Sequence, residues 1–258
     1  MTASTTSGVG YVTGAGSGMG RLAAQRMAHA GLRVAAIDVN EPGLAETARG
    51  RDGIETFALD VVDTQAVADN VGAVETTLGP IDRAFVAAGI LRTVRLVDQP
   101  TEDVLRIMDV NYRGLVNTTK AILPGMLARG RGDLVLFASM AGWVPAPLFG
   151  AYNASKHAVV AFAEVLADEI RGSGVRLCCV CPPVVDTPMV APQNASAKAL
   201  RHWALPAISA AQVLDAIERD LGRGRLFCFP DSRSRLSWRG RRFVPRLVWS
   251  FIRYVEGA

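Results

Sequence analysis

Short β-branched and apolar runs alternate along this chain with longer stretches of helical period. Seven runs read as strands: VGYVT (9–13), RVAAID (33–38), ETFALD (55–60), DRAFVAA (82–88), DLVLFAS (133–139), RLCCVC (176–181) and RLFCF (225–229). Helices are predicted over 18–30, 64–78, 102–128, 152–171 and 210–221. Runs that are apolar throughout, rather than on alternate positions, belong to strands covered on both faces, as in a parallel sheet layered with helices. The pattern predicts an α/β fold: a Rossmann-type, doubly wound, seven-stranded parallel sheet in a single domain. No repeat, linker or low-complexity tract interrupts it before residue 230, so that domain is expected over 1–230. Pro182, Pro183 and Pro188 end the pattern after the sixth strand, and the Ala/Ser/Pro-rich segment 187–205 reads as a loop over the site.

Residues 231–258 are different in kind. They hold seven arginines against Asp231 and Glu256, a local charge of +5 in a chain of net +4, so the main domain is close to neutral. Within them Val244, Leu247, Val248, Phe251, Ile252 and Val255 form one helical stripe, with Arg242, Arg246 and Arg253 opposite and Pro245 in the first turn. A basic amphipathic C-terminal extension is expected. It would dock on the chain itself or on a neighbouring subunit, with peripheral contact to an anionic membrane as the alternative.

Composition narrows the classes. Half the residues are hydrophobic, enough for a sizeable core, and no apolar run reaches the roughly 18 residues of a membrane span. The polar MTASTTSG start resembles neither a signal nor a transit peptide, so a cytoplasmic protein is expected. The main domain offers no basic patch for nucleic acid. Cys178, Cys179, Cys181 and Cys228 lack metal-ligand spacing and read as buried hydrophobes, so no metal is expected.

Two motifs carry chemistry. TGAGSGMG (13–20) follows a strand and opens a helix, where glycines let backbone N–H groups approach a pyrophosphate and the helix N-terminus faces it. Gly14, Gly16, Ser17, Gly18, Met19 and Gly20 are the expected cradle. Asp38, at the end of the second strand, suits ribose hydroxyls and repels a 2′-phosphate, which favours NAD over NADP. The second motif is YNASK: Tyr152 and Lys156 lie at i and i+4 on one helix face, with Ser139 upstream. A phenol titrates near pH ~10. A lysine one turn away favours its phenolate, and a serine hydroxyl can hold a carbonyl or alcohol oxygen beside it.

With these residues assembled, the chain resembles the short-chain dehydrogenase/reductase family from about residue 8 to 190. The resemblance implies that Asp60 and Val61 hold the adenine, and that Ala88 and Gly89 border the cofactor. It implies that Asn111 joins Ser139, Tyr152 and Lys156 in catalysis by holding a relay water. It also implies that Pro182, Val185 and Thr187 (in PPVVDTPM) hold the nicotinamide carboxamide. Ala87 stands where the family has an asparagine, and Pro183 where it has a glycine. The expected activity is NAD-dependent interconversion of a hydrophobic secondary alcohol and its ketone, with Tyr152 as acid/base. Met140, Trp143, Phe149 and Met189 are the expected substrate pocket. The alternatives are a cofactor-binding sensor or scaffold without turnover, and a peripheral membrane protein acting through the tail. A homotetramer is implied by the resemblance, with Leu115, Val116, Ile122, Leu123, Val159, Val160 and Phe162 as surplus apolar surface.

Overall fold

The computed structural model describes residues 8–190 and 207–256, with side chains as far as Ser250. Seven strands form one sheet: β1 (Val9–Thr13), β2 (Arg33–Asp38), β3 (Ile54–Ala58), β4 (Ile81–Val86), β5 (Gly132–Phe137), β6 (Val175–Val180) and β9 (Phe227–Cys228). Their spatial order is β3-β2-β1-β4-β5-β6-β9, and every pairing is parallel. A second, two-stranded piece joins β7 (Val185–Asp186) to β8 (Ile208–Ser209).

Period two decides which layer each strand residue enters. Tyr11, Ala35 and Ile37 pack towards α3 (Thr64–Thr77), α5 (Gly114–Arg129) and α6 (Gly150–Glu169), through Val71, Val74, Ile122, Met126, Val159 and Ala163. Val12, Val34 and Ala36 point the other way, to α1 (Gly18–His29), α2 (Glu41–Ala48) and α7 (Ala210–Leu221), through Ala23, Met27, Leu44, Val213 and Ile217. The four cysteines lie buried and free within these layers. Among the described residues no group of histidine, cysteine and acidic side chains could hold a metal, and no helix is long and apolar enough to cross a membrane.

Several boundaries differ from the sequence reading. Strands β3, β4 and β5 stop two residues early, which places Asp60, Ala88 and Ser139 on loops beyond their carboxyl ends. The helix expected over 102–128 is α4 (Thr101–Met108), a π-helical turn (Asp109–Arg113) and α5. The wider turn lies at Asn111; such bulges recur at functional sites. Helix α2 is capped by the Asn40 side chain, which accepts from the Gly43 amide at 3.1 Å. The extension folds as two helices, α8 (Ser232–Phe243) and α9 (Pro245–Glu256), with Pro245 opening the second. Most of the loop expected over 187–205, with Trp203 and Leu205, lies outside the described residues.

Candidate active site

The strand order reverses between β1 and β4, and the crevice beyond their carboxyl ends is where open α/β sheets bind ligands. A cleft of about 910 Å³ opens there, lined by Gly14, Ser17, Gly18, Met19, Gly20, Asp38, Asp60, Val61, Ala88 and Gly89 among others. Two of its glycines, and Gly16 between them, leave no room for a side chain. A Cβ on Gly20 would sit 2.1 Å from the Gly14 carbonyl oxygen, and one on Gly14 (φ +70) 2.9 Å from the Ala87 backbone. One on Gly16 would meet the Asp38 carboxylate at 2.9 Å.

Asp38 holds this loop. Its Oδ2 accepts from the Gly16 amide and its Oδ1 from the Asn40 amide, both at 2.9 Å. Arg21, which the sequence reading did not single out, donates to the Gly16 carbonyl at 2.5 Å and to Thr47 Oγ1 at 3.2 Å. Asp60 accepts from the Val62 amide at 3.0 Å and from Arg106 at 2.9 Å. Burial alone would raise its carboxyl pKa, but the Val62 amide and Arg106 outweigh burial and hold it below the ordinary value. Arg106 lines the cleft and was equally missed; no local pattern tied it to Asp60.

Ala87 leaves no gap in hydrogen bonding. Thr13 Oγ1 accepts from both the Ala87 and Ala88 amides at 3.1 Å, fixing the strand end. A dinucleotide fits this donor set: a helix start that no side chain caps, a carboxylate at the second strand, and a floor too close for side chains.

A second cleft of about 870 Å³ adjoins the first, sharing Met19, Ala87, Gly89, Thr187 and Met189. Ser139, Tyr152 and Lys156 line it, with Pro182 and Val185 opposite the mostly apolar Leu91, Phe137, Met140, Ala146 and Phe149. Ser139 follows β5 in extended backbone (φ −172), where its hydroxyl accepts from the Ala141 amide at 3.1 Å and donates to the Pro182 carbonyl at 3.5 Å. Burial pushes the Tyr152 phenol up to about 12, with the nearby Ser139 hydroxyl pulling back against it. Burial likewise pushes the Lys156 ammonium down to about 8, opposed by Cys179 and Cys181. Lys156 Nζ donates to the Phe137 carbonyl at 2.7 Å and lies 5.7 Å from the centre of the Tyr152 ring.

Asn111 is wholly buried, and its amide is engaged by protein. Its Oδ1 accepts from the Ile90 amide at 2.7 Å, and its Nδ2 donates to the Ile90 carbonyl and to Ser155 Oγ, each at 3.0 Å. The side chain therefore ties the loop after β4 to α6 through both of its amide hydrogens.

The expected pocket needs one correction. Trp143 does not line the cleft. Its indole N–H donates to Cys181 Sγ at 3.3 Å, and its ring packs edge-on to Phe227 and Trp238, at centroid distances of 5.1 and 5.8 Å. Met140, Phe149 and Met189 do line it. Val144 is core. Leu148 is the only non-glycine residue at positive φ (69) among those described, and this strained turn precedes Phe149.

Comparison with known proteins decides the family. The sequence profile described as short chain dehydrogenase matches residues 9–198. The chain belongs to the short-chain dehydrogenase/reductase family. It is 36% identical over 239 residues to 1-deoxy-11-beta-hydroxypentalenate dehydrogenase of Streptomyces avermitilis, covering 87% of this chain and 86% of that protein. It is 36% identical over 180 residues to 2-dehydro-3-deoxy-L-rhamnonate dehydrogenase (NAD(+)) of a Sphingomonas species, covering 69% and 72%. A crystal structure of a short-chain dehydrogenase/reductase from Burkholderia phymatum in complex with NAD superposes with a TM-score of 0.85 at 25% identity, covering 95% of this chain and 96% of that one. This short-chain dehydrogenase is thus an oxidoreductase acting on CH–OH groups, built to take a nicotinamide cofactor.

Proposed function

We propose that the enzyme interconverts a hydrophobic secondary alcohol and its ketone, with NAD preferred to NADP. The observation that carries this reading is the meeting of Ser139, Tyr152 and Lys156 on the lining of one apolar cleft, directly beside the glycine-lined one. Bound nicotinamide would donate or accept the hydride. Ser139 orients the substrate oxygen, and Tyr152 gives or takes its proton. Lys156, charged below about pH 8, sits against the Tyr152 ring and favours the phenolate when the proton leaves.

The raised phenol pKa gives the two directions opposite pH behaviour. Carbonyl reduction uses Tyr152 in the protonated form that prevails at neutral pH. Alcohol oxidation needs the phenolate, so its kcat/KM climbs with pH, by up to about tenfold per unit. The apolar lining of Leu91, Met140, Phe149 and Met189 supports a hydrophobic substrate, and the Asp38 carboxylate supports NAD. The name of the Sphingomonas relative agrees with NAD.

A sensor without turnover would draw on the missing asparagine at Ala87, whereas Ser139, Tyr152 and Lys156 meeting in one cleft supports turnover. A screen of hydrophobic secondary alcohols with NAD, followed by absorbance of the reduced cofactor, tests the proposal. Tyr152→Phe should retain cofactor binding and lose on the order of 10²–10⁴-fold in turnover. Near-wild-type turnover in that variant removes Tyr152 from the reaction.

A further inference from the structure

Helices α8 and α9 present a surface that the dehydrogenase chemistry does not use. Their inner side is anchored: Ser234 is buried, Trp238 stacks on Phe229 at 5.3 Å, and Val248 packs on the main core. Their outer side is bare. Leu236, Phe243, Val244 and Leu247 are 71%, 75%, 45% and 68% exposed. Leu236 and Phe243 are two turns apart on one face of α8, away from Trp238.

The charge around these side chains is as unusual as their exposure. Among the described residues, none of the six arginines from Arg233 to Arg246 makes a salt bridge, whereas Arg83, Arg106, Arg129 and Arg176 of the main domain are all paired. Asp231, the acid that opens the extension, accepts from the Ser234 amide at 2.8 Å as the cap of α8. Among the described residues the surface is therefore both apolar and rich in arginines that make no salt bridge.

We propose that this face docks the enzyme peripherally on an anionic lipid bilayer. Phosphate headgroups accept the forked guanidinium donors, and the acyl boundary takes up the leucines and Phe243. A second copy of the chain, meeting this face with the same face, would set arginines against arginines. A nucleic acid would engage the arginines and leave Leu236, Phe243 and Leu247 in water. The docking is independent of the substrate assignment.

Co-sedimentation of the full chain with vesicles tests this. Pelleting is expected with phosphatidylcholine–phosphatidylglycerol vesicles at low salt, release at high salt, and no pelleting with phosphatidylcholine alone. Replacing Arg239, Arg242 and Arg246 together by Ser should lower partitioning about a hundredfold, since each basic residue near an anionic surface contributes about fivefold. Replacing Leu236, Phe243 and Leu247 together by Ser should lower it as well. All six positions are exposed, and circular dichroism checks that both variants remain folded. Several outcomes overturn the proposal: no pelleting at low salt, equal pelleting with both lipids, or an arginine variant that pellets like wild type. Binding to a DNA duplex, or self-association abolished by the apolar variant, overturns it too if vesicles are not bound.

Discussion

Lys156 shows how one residue joins stability to chemistry. Its ammonium is buried and pushed down to about 8 from an ordinary 10.5, so the folded chain binds fewer protons than the unfolded chain between those values. Stability therefore rises with pH across that interval. The contribution is complete above the upper value and is lost as pH falls through the lower one. Urea unfolding of wild type and Lys156→Met from pH 8 to 10 should show wild type gaining on the order of 2–3 kcal/mol on the variant. Parallel slopes would mean that Lys156 is not desolvated. The raised phenols of Tyr152 and Tyr11 act with opposite sign, but only above pH 10. Asp38 invites a finer substitution than removal, because it also accepts from Gly16 and Asn40. Asp38→Asn retains an acceptor for the loop and removes the charge. NADPH binding should strengthen relative to NADH while the fold is unchanged; an unaltered ratio of the two dissociation constants would show that charge at 38 does not discriminate.

Among the elements, the turn from β1 into α1 leaves least room. Gly20→Ala would force a methyl to within 2.1 Å of the Gly14 carbonyl, and the obstacle is backbone rather than a flexible side chain. The helix start must shift, and small-to-large changes of this kind typically cost 1–3 kcal/mol. Weakened NADH fluorescence titration and a lowered Tm are expected together; an unchanged Tm would show that the turn yields freely. The π-turn at Asn111 lies at the other extreme of legibility. The helical period runs through MDVNYR without a Gly or Pro inside the turn to mark a break. Only the packing of the Asn111 amide between Ile90 and Ser155 accounts for widening there. Strand ends were read two residues late at β3, β4 and β5 because apolar residues continue past the last ladder bond.

At the scale of the molecule, most of the surplus apolar surface expected to form a symmetric interface is core. Leu115, Ile122, Leu123, Val159 and Val160 are all at most 8% exposed within the single chain. What remains on α4 and α6 is Leu105 at 57% and Val165 at 59%. These two helices pack on each other and offer the face on which the tetramer implied by the family resemblance would form. Light scattering at micromolar concentration should give a particle well above 27.4 kDa, and Leu105→Glu with Val165→Glu should reduce it. A monomer in wild type contradicts the expectation.

The sequence by itself determined the sheet, its doubly wound class and the family, because these rest on periodicity and on glycines and polar groups at fixed local spacing. TGAGSGMG and YNASK are each contained within a turn or two of chain, so their residue types are visible without the fold. Tertiary structure decided what depends on residues distant in sequence. Thr13 supports Ala87 across 74 positions, and Arg106 reaches Asp60 across 46. Trp143, adjacent in sequence to a pocket, turns away because Phe227, Phe229 and Trp238 from the far end of the chain complete its packing. The tail's outer face likewise became distinct from its inner one only when Trp238 and Val248 found the core, since an amphipathic pattern does not say which surface it will meet.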